Sequence, residues 1–180
     1  MVSQNVSERD FLDRHAPLVY NLALRLVGNP TDAEDLAQDA LLLALKALPN
    51  FRGDSSLSTW MYRITVNTWK NRVRSEKRRG LWKMLSLNLF TGEEQDEEPN
   101  FKAEEPAIDA GAQTAETGVM VQKALLQIDD DSRAVVLLRD IEGQTYQEIA
   151  KTLEIPEGTV KSRLWRARDA LRKILEKDAV

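Results

Sequence analysis

Apolar residues recur at three- and four-residue steps along most of this chain, the spacing of amphipathic helices. Pro17 suits the first turn of a helix running to about Val27, with Leu18, Leu22, Leu24 and Leu26 as its apolar positions. Gly28-Asn29-Pro30 ends it. Thr31-Asp32-Ala33-Glu34 then has capping-box spacing, with Thr31 at the N-cap and Glu34 at N3. The helix it opens is predicted to reach Leu48, with Leu36, Ala37, Ala40, Leu41, Ala44 and Leu48 on one face, and Pro49 stops it. Phe51–Ser56 reads as a loop containing Gly53. A long helix follows from Leu57 to about Arg79, its core face formed by Leu57, Trp60, Met61, Ile64 and Thr68.

The second half repeats this helical character. Val119–Ile128 and Ser132–Ile141 both carry helical spacing, and Asp129-Asp130-Asp131 between them suits an N-cap and the positive end of a helix dipole. Thr145-Tyr146-Gln147-Glu148 is a second capping box, opening a short helix with Ile149, Ala150 and Leu153 inward. Glu154-Ile155-Pro156 is a turn, because Pro156 cannot sit in a helix interior. The last helix, Glu157 to Lys177, has Val160, Leu164, Ala167, Leu171 and Ile174 as its apolar stripe. Residues 81–116 contain the charge run Gly92–Glu98 and then Pro99, Pro106 and Gly111, the composition of a linker. The expected fold is therefore all-α: two small helical domains, 1–80 and 117–180, joined by a flexible acidic linker, 81–116.

Composition narrows the chemistry. The 180 residues include no Cys and one His, His15, so thiol chemistry and His-cluster metal sites are excluded, and no cofactor or metal is expected. No nucleophile–base pair or Gly-rich phosphate loop supports an enzyme acting on a small-molecule substrate. Met1–Asp10 is polar, with no export signal, and Leu81–Phe90 is too short to span a bilayer. A cytoplasmic location without direct membrane insertion is expected.

The formal net charge is −4, which by itself argues against nucleic acid. Its distribution reverses that argument. Residues 51–80 carry net +6 and residues 159–180 net +4, while 1–50, 81–116 and 117–158 carry −3, −7 and −4. On the long helix, Arg63, Asn67, Lys70, Arg74 and Lys77 step by three or four and form one basic stripe. On the last helix, Lys161, Arg163, Arg166, Arg168, Arg172 and Lys173 face outward. A short helix, a three-residue turn and a long basic helix form a helix-turn-helix, whose second helix enters a major groove. Lys161, Ser162, Trp165 and Arg166 would then lie nearest base edges.

Three stretches together resemble the extracytoplasmic-function (ECF) subgroup of the sigma-70 family of bacterial RNA polymerase sigma factors: Asp32–Leu48, Phe51–Arg74 and Gln144–Arg172. The resemblance implies sigma region 2 in the first domain and sigma region 4 in the second. It implies an alternative sigma factor that binds core RNA polymerase and directs promoter-specific initiation by recognising and melting DNA, and not an enzyme. Asp35, Leu36, Gln38 and Asp39 match positions that dock on the clamp helices of the largest polymerase subunit. Phe51, Arg52, Gly53, Asp54 and Ser55 match the loop that captures an unstacked base of the minus-ten element. Trp60, Arg63, Asn67, Lys70, Asn71 and Arg74 match its supporting helix. Lys161, Ser162, Arg163, Trp165 and Arg166 match minus-thirty-five contacts, with Arg139 and Thr145 on earlier elements. The implied partners are core polymerase, including the flap of its second subunit, promoter DNA and an anti-sigma factor. The acidic linker would thread into the polymerase channel as a stand-in for nucleic acid. Leu41 and Leu45 depart from the aromatics common in the docking helix. Glu154 stands where Gly is common, at a cost of about 1 kcal/mol if that residue is left-handed. A stand-alone helix-turn-helix regulator is the alternative, but it leaves Phe51–Arg74 without a role.

Overall fold

The computed structural model describes residues 8–90 and 112–178, with side chains over 9–81 and 117–177. Among the described residues the secondary structure is entirely helical. α1 (Glu8–Val27) starts well before Pro17, which lies inside the helix and not in its first turn. Proline forfeits the bond to the carbonyl one turn back, but Pro17 and Asp13 are both exposed, so water can take that carbonyl. Phe11, Val19, Leu22, Ala23 and Leu26 form its buried face.

α2 (Pro30–Ala47) is capped by Asn29, two residues ahead of the predicted Thr31. The Asn29 side chain accepts from the Asp32 backbone N–H at 2.9 Å and donates to the Asp32 carboxylate at 2.7 Å. Pro30, with its fixed φ at the first helical position, places the start there. The inner face is small and tight: Ala33, Leu36, Ala37, Ala40 and Ala44 are all buried. A 3₁₀ turn, Leu48–Asn50, leads into the loop.

α3 (Leu57–Phe90) is capped by Ser56, whose hydroxyl accepts from the Thr59 N–H at 3.0 Å. It continues beyond Arg79 to Phe90. Gly80 costs about 1 kcal/mol in a helix and does not break it. The segment 81–116 is thus helical at both ends, since α4 (Ala112–Gln127) begins before residue 117. The charge run itself lies outside the described residues.

α5 (Asp130–Val136) is capped by Asp129, which accepts from Ser132 N–H at 2.9 Å. It ends in a π turn, Leu137–Ile141, where a continuous α-helix was expected. α6 (Tyr146–Leu153) has the predicted capping box, with both reciprocal bonds present. Glu154 closes it at φ 56°, ψ 45°, the left-handed conformation that its position demands. α7 (Glu157–Asp178) completes the chain's second half.

α1, α2 and α3 pack together, and α7 packs on α4, α5 and α6. The two halves also share one continuous buried cluster. Gly28 closes α1 at φ +84°, and the Leu126 side chain of α4 fills the space where a Cβ would project. Gln122 donates to the Arg25 carbonyl at 3.1 Å. Arg133 is nearly buried and donates to four carbonyls: Leu26 at 2.7 Å on α1, and Leu125, Leu126 and Ile128 at 2.8, 3.2 and 3.2 Å around the end of α4. One guanidinium thereby serves two helix C-termini, where a cation is favoured.

Candidate nucleic-acid interface

The loop before α3 is shaped by one aromatic pair and one glycine. Phe51 packs against Trp60, ring centroids 5.1 Å apart, and Gly53 takes φ +76° in open space. Trp60 is 7% exposed, so its indole supports the loop from beneath. Arg52 and Asp54 are exposed and 3.6 Å apart. Beside the loop lies a cavity of about 540 Å³, lined by Phe51, Arg52, Ser55 and Arg63, with Glu148 and Lys151 across it from α6.

The basic stripe of α3 forms as spacing predicts. Arg63, Asn71, Arg74 and Lys77 are exposed, and Asn67 and Lys70 are half-buried. Two of its cations are engaged by the other half of the chain. Lys70 pairs with Asp131 at 3.0 Å and Lys77 with Asp130 at 2.8 Å. The hydrogen bond that Lys77 donates to Asp130 is the main cause that raises the Lys77 pKa. Thr59, in the first turn of α3, donates to Glu148 at 3.1 Å. Tyr62 bonds to Glu142; burial, then that bond, pushes its phenol well above the usual range.

On α7 the arrangement differs. Lys161, Ser162, Trp165 and Arg166 project together, and Trp165 is 71% exposed. Their contacts stay local. Lys161 pairs with Glu157 at 3.0 Å, the Ser162 hydroxyl donates to the Thr159 carbonyl at 3.1 Å, and Arg166 donates to the Ser162 carbonyl at 3.3 Å. Arg168 pairs with Asp140, and Arg172 and Lys173 pair with Asp169. Tyr146 lies under both Arg139 and Lys161, 4.8 and 5.5 Å from its ring centre. Arg139 also donates to the Gln144 carbonyl at 2.7 Å, which fixes the entrance to α6. Thr145 is held in the capping box, its N–H donating to Glu148 at 2.8 Å. That backbone bond is the main cause that lowers the Glu148 pKa. Arg163 turns inward and meets Asp131 at 3.2 Å.

On α2, Asp35, Gln38 and Asp39 are exposed beside the exposed apolar pair Leu42 and Leu43. Leu36 is fully buried, so it supports this face from within and offers no surface. Arg72 of α3 donates to the Asp39 carboxylate and to the Asp35 carbonyl, orienting the acidic edge. His15 packs on Phe11, ring centroids 4.9 Å apart.

Sequence reasoning missed Arg133, Gln122, Tyr62 and Glu142, the residues that join the halves. The Asp129-Asp130-Asp131 run was the one visible signal. Its first member caps a helix and the other two reach the α3 cations.

Residues 11–79 match the family profile described as Sigma-70 region 2, and residues 118–171 that described as Sigma-70, region 4. The chain is 35% identical over 164 residues to the RNA polymerase sigma-H factor of Pseudomonas aeruginosa, covering 88% of this chain and 80% of that protein. It is 35% identical over 159 residues to the ECF RNA polymerase sigma-E factor of Escherichia coli K12, covering 88% and 81%. It is 32% identical over 166 residues to the ECF RNA polymerase sigma factor SigW of Bacillus subtilis, covering 92% and 87%. Among solved structures, the sigma factor RpoE of Bartonella quintana, crystallised with the anti-sigma factor NepR, has the same fold. The TM-score is 0.68 at 24% identity, over 95% of this chain and 98% of that one. The chain belongs to the ECF subgroup of the sigma-70 family, alternative sigma factors that direct transcription.

Proposed function

We propose that this sigma factor binds core RNA polymerase in the cytoplasm through α2, and reads promoter DNA with two separate surfaces. The domain of residues 1–80 binds polymerase and the minus-ten element, that of 117–180 reads the minus-thirty-five element, and 81–116 links them. The observation that carries this reading is the pairing of two basic helix faces, each inside a stretch that matches a sigma region. Phe51–Ser55 and the stripe Arg63, Asn67, Lys70, Asn71 and Arg74 face the unpaired strand. A base taken out of the stack costs a few kcal/mol, and phosphate contacts along the stripe offset that.

The α7 face, Lys161, Ser162, Trp165 and Arg166, reads the duplex major groove, with Arg139 and Thr145 holding its approach. Asp35, Gln38 and Asp39, with Leu42 and Leu43, offer an acidic edge and an apolar centre to a basic helical partner such as the polymerase clamp helices. An anti-sigma factor is the expected inhibitor, and the polymerase flap a second docking point.

Run-off transcription with purified core polymerase and a promoter library tests the reading. Promoter-specific transcripts and co-purification with core are expected. A protein that binds duplex DNA but neither joins core nor starts transcripts would be a stand-alone regulator, and the reading would fall.

A further inference from the structure

We propose that Tyr146 is a positioning residue of the duplex-reading face. Its ring holds Arg139 and Lys161 as one preset pair of donors, and so sets how sharply the protein tells one base sequence from another. The inference rests on the role proposed above for α7.

Three elements meet at this ring. Tyr146 is the first residue of α6, and the capping box of Thr145 and Glu148 fixes the backbone that carries it. The Arg139 guanidinium comes from the π turn and lies over the ring, 4.8 Å from its centre. The Lys161 ammonium, one turn beyond Glu157 at the start of α7, lies 5.5 Å from the same centre. Both distances fall within the roughly 6 Å over which a ring face attracts a cation. The ring is half-buried and packed against the core, so its own place is set from beneath. The π turn is also pinned to the reading helix, because Arg168 of α7 donates to Asp140, the residue after Arg139, at 3.0 Å. Such turns recur at functional sites.

Each cation has a second tether and donors to spare. Arg139 donates to the Gln144 carbonyl at 2.7 Å, and one carbonyl does not exhaust a guanidinium. Lys161 pairs with Glu157 at 3.0 Å and is exposed. A free lysine side chain loses much rotamer freedom when a duplex orders it. A ring that holds the ammonium beforehand removes part of that cost, but only for the geometry it fixes. Fixed directions matter at base edges, where donors and acceptors differ in place from pair to pair. They matter little at phosphates, which carry no sequence information. Tyr146 therefore acts on the preference between sequences and not on general affinity for DNA.

The test uses full-length protein and a pool of randomised duplexes, from which the wild type selects its preferred site. Fluorescence anisotropy at one fixed salt concentration then compares that site with a scrambled duplex. Tyr146→Leu keeps an apolar side chain against the core and removes the ring face. Its preference for the selected site should fall about tenfold, with affinity for the scrambled duplex unchanged. Tyr146→Phe keeps the face and should keep the preference. An undiminished preference in the Leu variant would overturn the proposal, as would an equal loss on both duplexes. A Phe variant as impaired as the Leu variant would also overturn it, since the hydroxyl would then be the acting group. In protein already carrying Arg139→Met and Lys161→Met, Tyr146→Leu should lower the preference no further. A full tenfold loss in that background would refute action through the two cations. A wild type that selects no site at all would remove the reading of α7 itself, and this inference with it.

Discussion

The two basic helices of this molecule handle their charge in opposite ways. On α7, cations pair with acids of the same helix or its neighbours: Lys161 with Glu157, Arg172 and Lys173 with Asp169, Arg168 with Asp140. On α3, Lys70 and Lys77 pair with acids more than fifty residues away. Local pairs persist whatever the domains do. Long-range pairs exist only while the domains touch. A basic face is thus constitutive on one helix and conditional on the other, and the sequence separation of its counter-ions shows which.

The largest effect should come from removing what joins the halves. Arg133→Met leaves four carbonyls without their donor. A loss of about 3 kcal/mol or more is expected in urea unfolding, because hydrogen bonds to charged groups are worth about 1.5–3 kcal/mol each. The unfolding transitions of the two domains should also separate.

Next, Arg166→Ala should weaken duplex binding by about 1–3 kcal/mol, with or without the further substitutions Asp130→Asn and Asp131→Asn that remove the counter-ions of Lys77 and Lys70. Duplex affinity that falls only in the protein without those counter-ions would break the comparison. Asn67→Ala should impair promoter melting while leaving core binding intact, measured by permanganate footprinting and by co-purification. Loss of core binding would contradict the assignment of α3.

The smallest effect concerns Glu148→Gln. Its carboxylate is held below the ordinary value of 4.5, first by the backbone bond from Thr145. A depressed folded-state value means stabilisation that is present above pH 4.5 and lost as pH falls through the folded-state value. The substitution should flatten this part of the acid limb of thermal melts. It should also raise single-strand affinity a little, by about the worth of one exposed contact, 0.2–1 kcal/mol.

What could be read from the chain alone was what depends on near neighbours. The Thr145–Glu148 box, the left-handed Glu154, the Asp129 cap and the span of α7 each rest on residues a few positions apart. Local reasoning failed where two local signals competed. At the start of α2, Thr31 and Glu34 made a plausible box, but Asn29 followed by Pro30 made a better start. In α1, a proline that marks a first turn in isolation sits mid-helix because its surroundings are wet. The meeting of α5 and α6 with α3 had no readable signal beyond three adjacent aspartates, because no spacing rule links residue 70 to residue 131. The α3 stripe was legible as basic, but its occupied state was not.

Gly28 binds a local event to a global one. Its left-handed backbone ends α1, and its missing side chain leaves the hollow that Leu126 enters. Any other residue would strain the helix end and displace Leu126 in the same stroke. The joint between domains therefore cannot be loosened at that point by sequence drift without a toll on the first domain's own folding. Two requirements that could have been tuned separately are locked to a single codon.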